Sequence, residues 1–95
     1  MKYAAIIEYT PDTAKTAQVR PAHREYLKGL QQSGNFVVGG PFGGDTGALI
    51  VYEAETPEQV EVFLREDPFA QQGVFVSWTI RSWKIVMATP ALLTP

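Results

Sequence analysis

The sequence predicts an α+β domain of the ferredoxin-like class with the element order β-α-β-β-α-β. Two observations predict it: four short apolar segments favour strands, and two segments carry apolar residues at helical spacing. The length of 95 residues fits a single domain over residues 1–95, in which residues 87–95 form a tail without periodicity. With the usual strand order 4-1-3-2, we expect a four-stranded antiparallel sheet with two helices on one face.

The first half of the chain predicts a strand, a helix and a second strand. Residues 2–9 are apolar and favour a strand, whereas residues 10–19 mix turn and helix formers and indicate a loop. We expect the first helix to open at Arg20–His23, because proline suits the first helical position, where its missing N–H is no loss. Ser33–Asn35 supplies the stop, and the apolar residues 36–40 form the second strand.

The second half predicts a hairpin, a helix and a last strand. Residues 41–47 are dense in glycine and proline and link the second strand to a third at residues 48–54. Thr56–Gln59 has the pattern of a capped helix start, with Pro57 at the first position. Asp67–Pro68 ends that helix because a residue before proline is pushed out of helical geometry. Residues 74–86 are the fourth strand.

The first and last strands carry apolar residues on both sides. In an antiparallel sheet with one face exposed to water, apolar and polar residues should alternate along each strand. We therefore expect a second copy of the chain to cover the open face, most simply a homodimer packed sheet to sheet. The alternative is that single exposed aromatic residues are tolerated there. In the first strand, alternation places Tyr3, Ala5, Ile7 and Tyr9 on one side and Ala4 and Ile6 on the other. In the last strand, it places Val74, Val76, Trp78 and Ile80 on one side and Phe75, Trp83 and Ile85 on the other.

Composition excludes several classes of function. A net charge of -2 and a pI near 5.2 argue against nucleic-acid binding, which needs clustered Lys and Arg. The chain has no cysteine and a single histidine, so thiolate and multi-histidine metal sites are excluded. No apolar stretch approaches the roughly 20 residues that span a bilayer, and no signal peptide is evident, so we expect a cytoplasmic protein. Nucleotide-binding glycine motifs are absent, and no cofactor is expected.

The single histidine, His23, shares the inward stripe of the first helix with Leu27 and Leu30, and Asp67 continues the inward stripe of the second helix. The topology brings the start of the first helix and the end of the second to the same edge of the sheet. An imidazole titrates near neutral pH and can accept and return protons, while a neighbouring carboxylate would orient it. We expect amides at the helix start and Arg20 to receive an anionic group.

The structural reading of each residue stays open beside the functional one. An inward histidine is often a hydrogen-bonded core residue, and an aspartate before proline is a common helix stop. The glycine pairs at 39–40 and 43–44 are accounted for by hairpin geometry alone.

Four short motifs resemble the YCII-related domain family: Arg20–His23, Gly39–Pro41, Asp67–Phe69 and Gly73–Phe75. The similarity runs over residues 1–86, and the R-x-x-H and D-P-F elements are its most specific marks. The resemblance implies a dimeric α+β barrel of ferredoxin-like subunits and an active site built from the matching His23 and Asp67. The family resembles muconolactone isomerases in fold and is associated with dehydrochlorinase-type activity on hydroxylated aromatics.

The leading hypothesis is therefore a small cofactor-independent enzyme that transfers a proton in an elimination or isomerisation of a small, aromatic or anionic molecule. A non-catalytic dimeric module that binds a small molecule is the alternative, and a haem protein with His23 as axial ligand is a weaker third. The residues assigned to the site are His23 and Asp67 for catalysis, and Arg20, Gly40, Pro41, Phe69 and Phe75 for substrate binding.

Overall fold

The structure is a computed structural model that describes residues 1–95, and it has the predicted ferredoxin-like arrangement. One short helix, α3, is added after the second long one. The elements are β1 Lys2–Tyr9, α1 Thr13–Gln32, β2 Phe36–Pro41, β3 Gly47–Glu53, α2 Pro57–Glu66, α3 Pro68–Gln71 and β4 Phe75–Trp83, with single 3₁₀ turns at Gly43–Asp45 and Pro90–Leu92.

The four strands form one antiparallel sheet in the order β2-β3-β1-β4, which is the predicted order from the opposite edge. The helices pack on one face, where alternate residues of β1 and β3 are buried. There, β1 pairs with β3 so that Tyr3 is opposite Tyr52 and Ile7 is opposite Ala48. The core between sheet and helices comprises Tyr3, Ala5, Ile7, Tyr9, Ala48, Ile50, Tyr52, Ala54, Val60, Leu64, Phe69, Val74 and Phe75.

The first helix begins at Thr13, so the prediction of a loop over residues 10–19 and a helix start at Pro21 was wrong. Asp12 is the N-cap, and its Oδ1 accepts a hydrogen bond from the backbone N–H of Lys15 at 3.1 Å. Thr16 is buried, and its hydroxyl donates a hydrogen bond to the backbone carbonyl of Asp12 at 3.2 Å, which ties the first turn to its cap. Pro21 lies inside the helix on its solvent-exposed side, where water can satisfy the carbonyl left without a donor.

The start of α2 agrees with the prediction. The side chain of Thr56 accepts a hydrogen bond from the backbone N–H of Gln59 at 3.2 Å, and Pro57 is the first helical residue. Asp67 ends α2 in an extended conformation, and its side chain then caps α3 by accepting from the backbone N–H of Phe69. The Asp67–Pro68 step therefore turns the chain from one helix directly into the next.

The last strand is shorter than predicted and irregular. A register shift opposite Glu8 and Tyr9 inserts Val76 as an extra residue, so Phe75 is buried on the helix side of the sheet. Simple alternation had placed Phe75 on the opposite side, and that assignment was wrong. Residues 84–86, predicted as strand, follow its end at Trp83.

The open face of the sheet exposes several large apolar side chains. Ile6 and Leu49 are paired across β1 and β3 and are 46% and 40% exposed, and Trp83 on β4 is 47% exposed. Polar residues on the same face of β4 interrupt the patch. None of the helices has the length and apolar character needed to cross a membrane.

Candidate functional site

His23 and Asp67 are in direct contact, as their inward positions predicted. The imidazole Nδ1 lies 2.8 Å from Oδ1 and 2.9 Å from Oδ2 of the carboxylate. His23 is 6% exposed and Asp67 is fully buried, so the pair is largely screened from water. The structure therefore contains a buried histidine–carboxylate pair formed between the middle of α1 and the junction of α2 with α3.

The surroundings of His23 differ from the prediction in one respect. Because α1 begins at Thr13, His23 lies about 15 Å along the helix from its first residue, by the usual rise per residue. The positive end of a helix dipole acts within the first turn. The anion site predicted at free helix amides beside Arg20 was therefore wrong.

The rings of Phe69 and Phe75 hold the imidazole in place. Phe69 stacks on His23 with ring centroids 3.9 Å apart and planes 8° from parallel, and Phe75 meets it edge-on at 5.9 Å. The backbone N–H of Phe69 donates to Oδ1 of Asp67 at 2.9 Å, so one short segment orients both the carboxylate and the stacking ring. Such contacts lock the rotamers of a site before any ligand binds.

The hydrogen bond to Asp67 determines which ring nitrogen is available. An ionised carboxylate can only accept, so we assign the proton of neutral His23 to Nδ1, which donates to Asp67. Nε2 then keeps its lone pair and has no partner within the chain. His23 also lines a cavity of about 760 Å³ between α1 and β2. The imidazole whose Nε2 is free therefore borders this space. This is the arrangement of a general base with an orienting acid.

The cavity contains some of the predicted substrate-binding residues and not others. Gly40 and Pro41 line it, as expected for residues on β2. Phe69 and Phe75 do not; they lie behind His23 and support it. The wall is otherwise mostly apolar, and the full set of lining residues is Tyr9, His23, Arg24, Leu27, Gln31, Phe36, Val37, Val38, Gly39, Gly40, Pro41, Ala48, Ile50, Leu92, Leu93, Thr94 and Pro95.

Arg20, the remaining predicted substrate contact, lies outside the cavity lining. Its Nη2 donates to both carboxylate oxygens of Asp45 at 2.6 Å, and this hydrogen bond raises the pKa of Arg20. Asp45 and the preceding Gly44 have φ values of +59° and +79°, in the left-handed region. The ion pair thus fastens α1 to the turn between β2 and β3, which accounts for Arg20 without a ligand.

Three parts of the cavity were missed by the sequence prediction: Tyr9, Arg24 and the tail residues Leu92–Pro95. The hydroxyl of Tyr9 is protonated at neutral pH and can donate a hydrogen bond, and burial raises its pKa further, to about 12. The position of Tyr9 at the end of the inward side of β1 could have indicated it. The tail has no periodic pattern, so nothing in the sequence pointed to its place beside His23.

A metal site is not evident in this structure. No group of three or more His, Cys, Asp or Glu side chains is close enough to bind a metal ion. His23 and Asp67 form a pair without a third ligand.

The chain is similar in sequence to a known family and to known proteins. The family model described as "YCII-related domain" matches residues 1–84. Protein YciI of Escherichia coli O6:H1 is 28% identical over 82 residues, covering 76% of this chain and 84% of that protein. Protein YciI of Shigella flexneri gives the same 28% identity and the same coverage.

A solved structure is similar over most of its length. It is the 5-chloro-2-hydroxyhydroquinone dehydrochlorinase TftG of Burkholderia phenoliruptrix AC1100 in complex with 2,5-dihydroxybenzoquinone. The two chains superpose with a TM-score of 0.76 at 29% identity, over 88% of this chain and 94% of TftG. The chain therefore has the subunit fold of the dimeric α+β barrel superfamily.

Proposed function

This chain belongs to the YCII-related domain family, and from that premise we propose that it is a small enzyme that needs no cofactor. It moves a proton to or from a small molecule held in the cavity between α1 and β2. His23 is the general acid/base, and Asp67 orients the ring and stabilises its protonated form. The observation that carries the proposal is a buried His23–Asp67 contact of 2.8 Å on a histidine that borders the cavity.

The proposed step is an elimination or isomerisation. Nε2 of His23 takes a proton from the bound molecule, and the electron pair released forms a double bond. In an elimination, a leaving group such as chloride departs with its bonding pair. In an isomerisation, the protonated imidazole returns the proton to a different atom of the same molecule. Gly40 and Pro41 would contact the ring of the substrate, while Phe69 and Phe75 keep the imidazole in position.

The name of the similar protein TftG suggests the first substrate to test. We would incubate the purified chain with 5-chloro-2-hydroxyhydroquinone and measure chloride release. His23→Gln is the variant of choice because the glutamine amide can still donate to Asp67. We expect it to lower turnover by on the order of 10²–10⁴-fold, the contribution of a positioned general acid/base. Arg65→Gln, an exposed substitution on α2 outside the cavity, is the matched control.

A folded His23→Gln variant that retains the wild-type rate would exclude the proposed role. If ring compounds bind and no product forms with any of a panel of hydroxylated aromatics, the chain is instead the non-catalytic binding module. Asp67→Asn separates the two roles further. As a positioning residue, it should lower kcat and alter the ¹⁵N signals of the His23 ring, which report the tautomer, while leaving KM nearly unchanged.

We further propose that the functional unit is a homodimer formed through the open face of the sheet. Ile6, Leu49 and Trp83 expose 46%, 40% and 47% of their surfaces on that face. An exposed apolar patch of this kind is typical of a surface covered by a partner. The proposed cytoplasmic location and the absence of nucleic-acid binding stay predictions from the sequence.

The dimer is tested by sedimentation of the wild-type chain and of Leu49→Glu. We expect the wild type to sediment as two chains and the variant to shift toward one. Val62→Glu is the matched control, because Val62 is 45% exposed but lies on α2. A wild-type chain that stays monomeric at high micromolar concentration would contradict the proposal.

A further inference from the structure

The cavity beside His23 has an uneven charge. Among the side chains that line it there is no carboxylate, and apart from His23 the sole basic side chain is Arg24. Arg24 is therefore the one side chain in the wall with a fixed positive charge, on a chain whose net charge is -2. Fixed positive charge in a recess with low-dielectric walls attracts anions and raises their local concentration.

Arg24 has no partner within the chain. Four of the other basic side chains form ion pairs: Lys2 with Glu53, Arg20 with Asp45, Lys28 with Glu25, and Arg65 with Glu61. Arg24 makes neither a hydrogen bond nor an ion pair, although it follows His23 directly on α1. Its five N–H donors are therefore free, and a planar guanidinium matches the two oxygens of a carboxylate.

Tyr9 adds a second donor on the same wall. Its hydroxyl has no hydrogen-bond partner in the chain, and the residue lines the cavity. A tyrosine hydroxyl is protonated at neutral pH, and burial raises the pKa of Tyr9 further, to about 12. A ligand oxygen in this space would meet donors from Arg24 and Tyr9.

We propose that the molecule bound beside His23 carries a carboxylate, that Arg24 binds this group, and that Tyr9 donates a further hydrogen bond to it. This inference rests on the proposed function, because it assigns the substrate class of the same cavity. The apolar remainder of the wall, from Phe36 to Pro41, would receive the uncharged part of the molecule. The ligand class is thus a small carboxylic acid with an apolar or aromatic body.

The test compares two probes that differ in charge and little in shape, 4-hydroxybenzoate and 4-hydroxybenzamide. Binding is followed by NMR through the backbone amides of Gly39 and Gly40, which line the cavity. We expect the acid to bind more tightly than the amide. Arg24→Gln should weaken the acid by about ten- to a hundred-fold and leave the amide unchanged, as expected for loss of a charge-assisted hydrogen bond.

Two further variants sharpen the test. Arg24→Lys keeps the charge without the planar fork and should recover part of the affinity for the acid. Arg81→Gln removes an unpaired arginine of β4 that does not line the cavity, and it should change neither affinity. The Arg24 side chain is exposed and makes no hydrogen bond or ion pair within the chain, so thermal unfolding should confirm that its variants are folded.

Three results would overturn the inference: equal affinity for acid and amide, unchanged acid binding in Arg24→Gln, or no response of the cavity amides to the acid. None of these involves turnover. The Arg24 variants keep His23 and Asp67, so chloride release from an uncharged phenol still tests the proton-transfer proposal independently.

Discussion

Removing the imidazole of His23 should be among the most destabilising single substitutions in this chain. In His23→Ala, the carboxylate of Asp67 stays fully buried and keeps one hydrogen bond, from the backbone N–H of Phe69 at 2.9 Å. Deleting the partner of a buried charge costs about 3–5 kcal/mol, because the charge is left without compensation. The stacking contact with Phe69 at 3.9 Å is lost as well.

This cost is large relative to a typical domain stability of about 5–15 kcal/mol. It is measured by urea unfolding of the wild type and His23→Ala, with the slope checked for a shared denatured state. Asp67→Ala and the double variant complete a thermodynamic cycle. Because the double variant no longer buries an unpaired carboxylate, its destabilisation should fall short of the sum of the single effects by roughly 1–3 kcal/mol. A loss below about 1 kcal/mol in His23→Ala, or strictly additive effects, would refute the view of a tightly coupled buried pair.

Three other predictions concern parts of the chain around the site. Pro21→Ala should raise the free energy of unfolding by about 1–3 kcal/mol, because it restores an N–H inside α1 and removes a ring clash on an exposed position. Thermal unfolding measures this effect, and a lower melting temperature than that of the wild type would contradict the prediction. Alkaline pH should destabilise the protein between about 10 and 12, because the pKa of Tyr9 is raised from 10.0 to about 12 and the unfolded chain therefore loses its proton first. The stability that this pKa shift contributes is fully present below pH 10.0 and is lost as the pH rises through the folded pKa. In urea unfolding, Tyr9→Phe should therefore lose less stability than the wild type over this pH range. An equal loss of stability in the variant and the wild type would contradict a buried Tyr9 phenol. Deleting residues 88–95 should change the free energy of unfolding by less than about 0.5 kcal/mol, since these side chains are exposed. Because part of this tail lines the cavity, the deletion should speed the entry of 4-hydroxybenzoate in stopped-flow binding. Slower entry would show that the tail helps to form the site.

Local sequence signals were sufficient where neighbouring residues supply the partners. The cap of α2 is one case: the side chain of Thr56 accepts from the backbone N–H of Gln59, and the side chain of Gln59 accepts from the backbone N–H of Glu55. The start of α1 shows the opposite. Asp12 caps it and Thr16 is buried in its first turn, but the proline at position 21 suggested a later start.

The fold class and the pairing of His23 with Asp67 could be predicted from the amino-acid sequence alone. Both follow from periodicity: apolar residues at helical and strand spacing define inward faces, and a polar residue on such a face must find a partner inside. Topology then left few partners for a single buried histidine.

The surroundings of that pair could not be predicted from the sequence. The register shift in β4 turned Phe75 toward His23, the turn after β2 bound Arg20 through Asp45, and the cavity brought Tyr9, Arg24 and the tail together. These outcomes depend on contacts between residues far apart in the chain, and spacing along one segment carries no information about them. The sequence could therefore predict the His23–Asp67 pair, whereas the other side chains around the cavity became visible only in three dimensions.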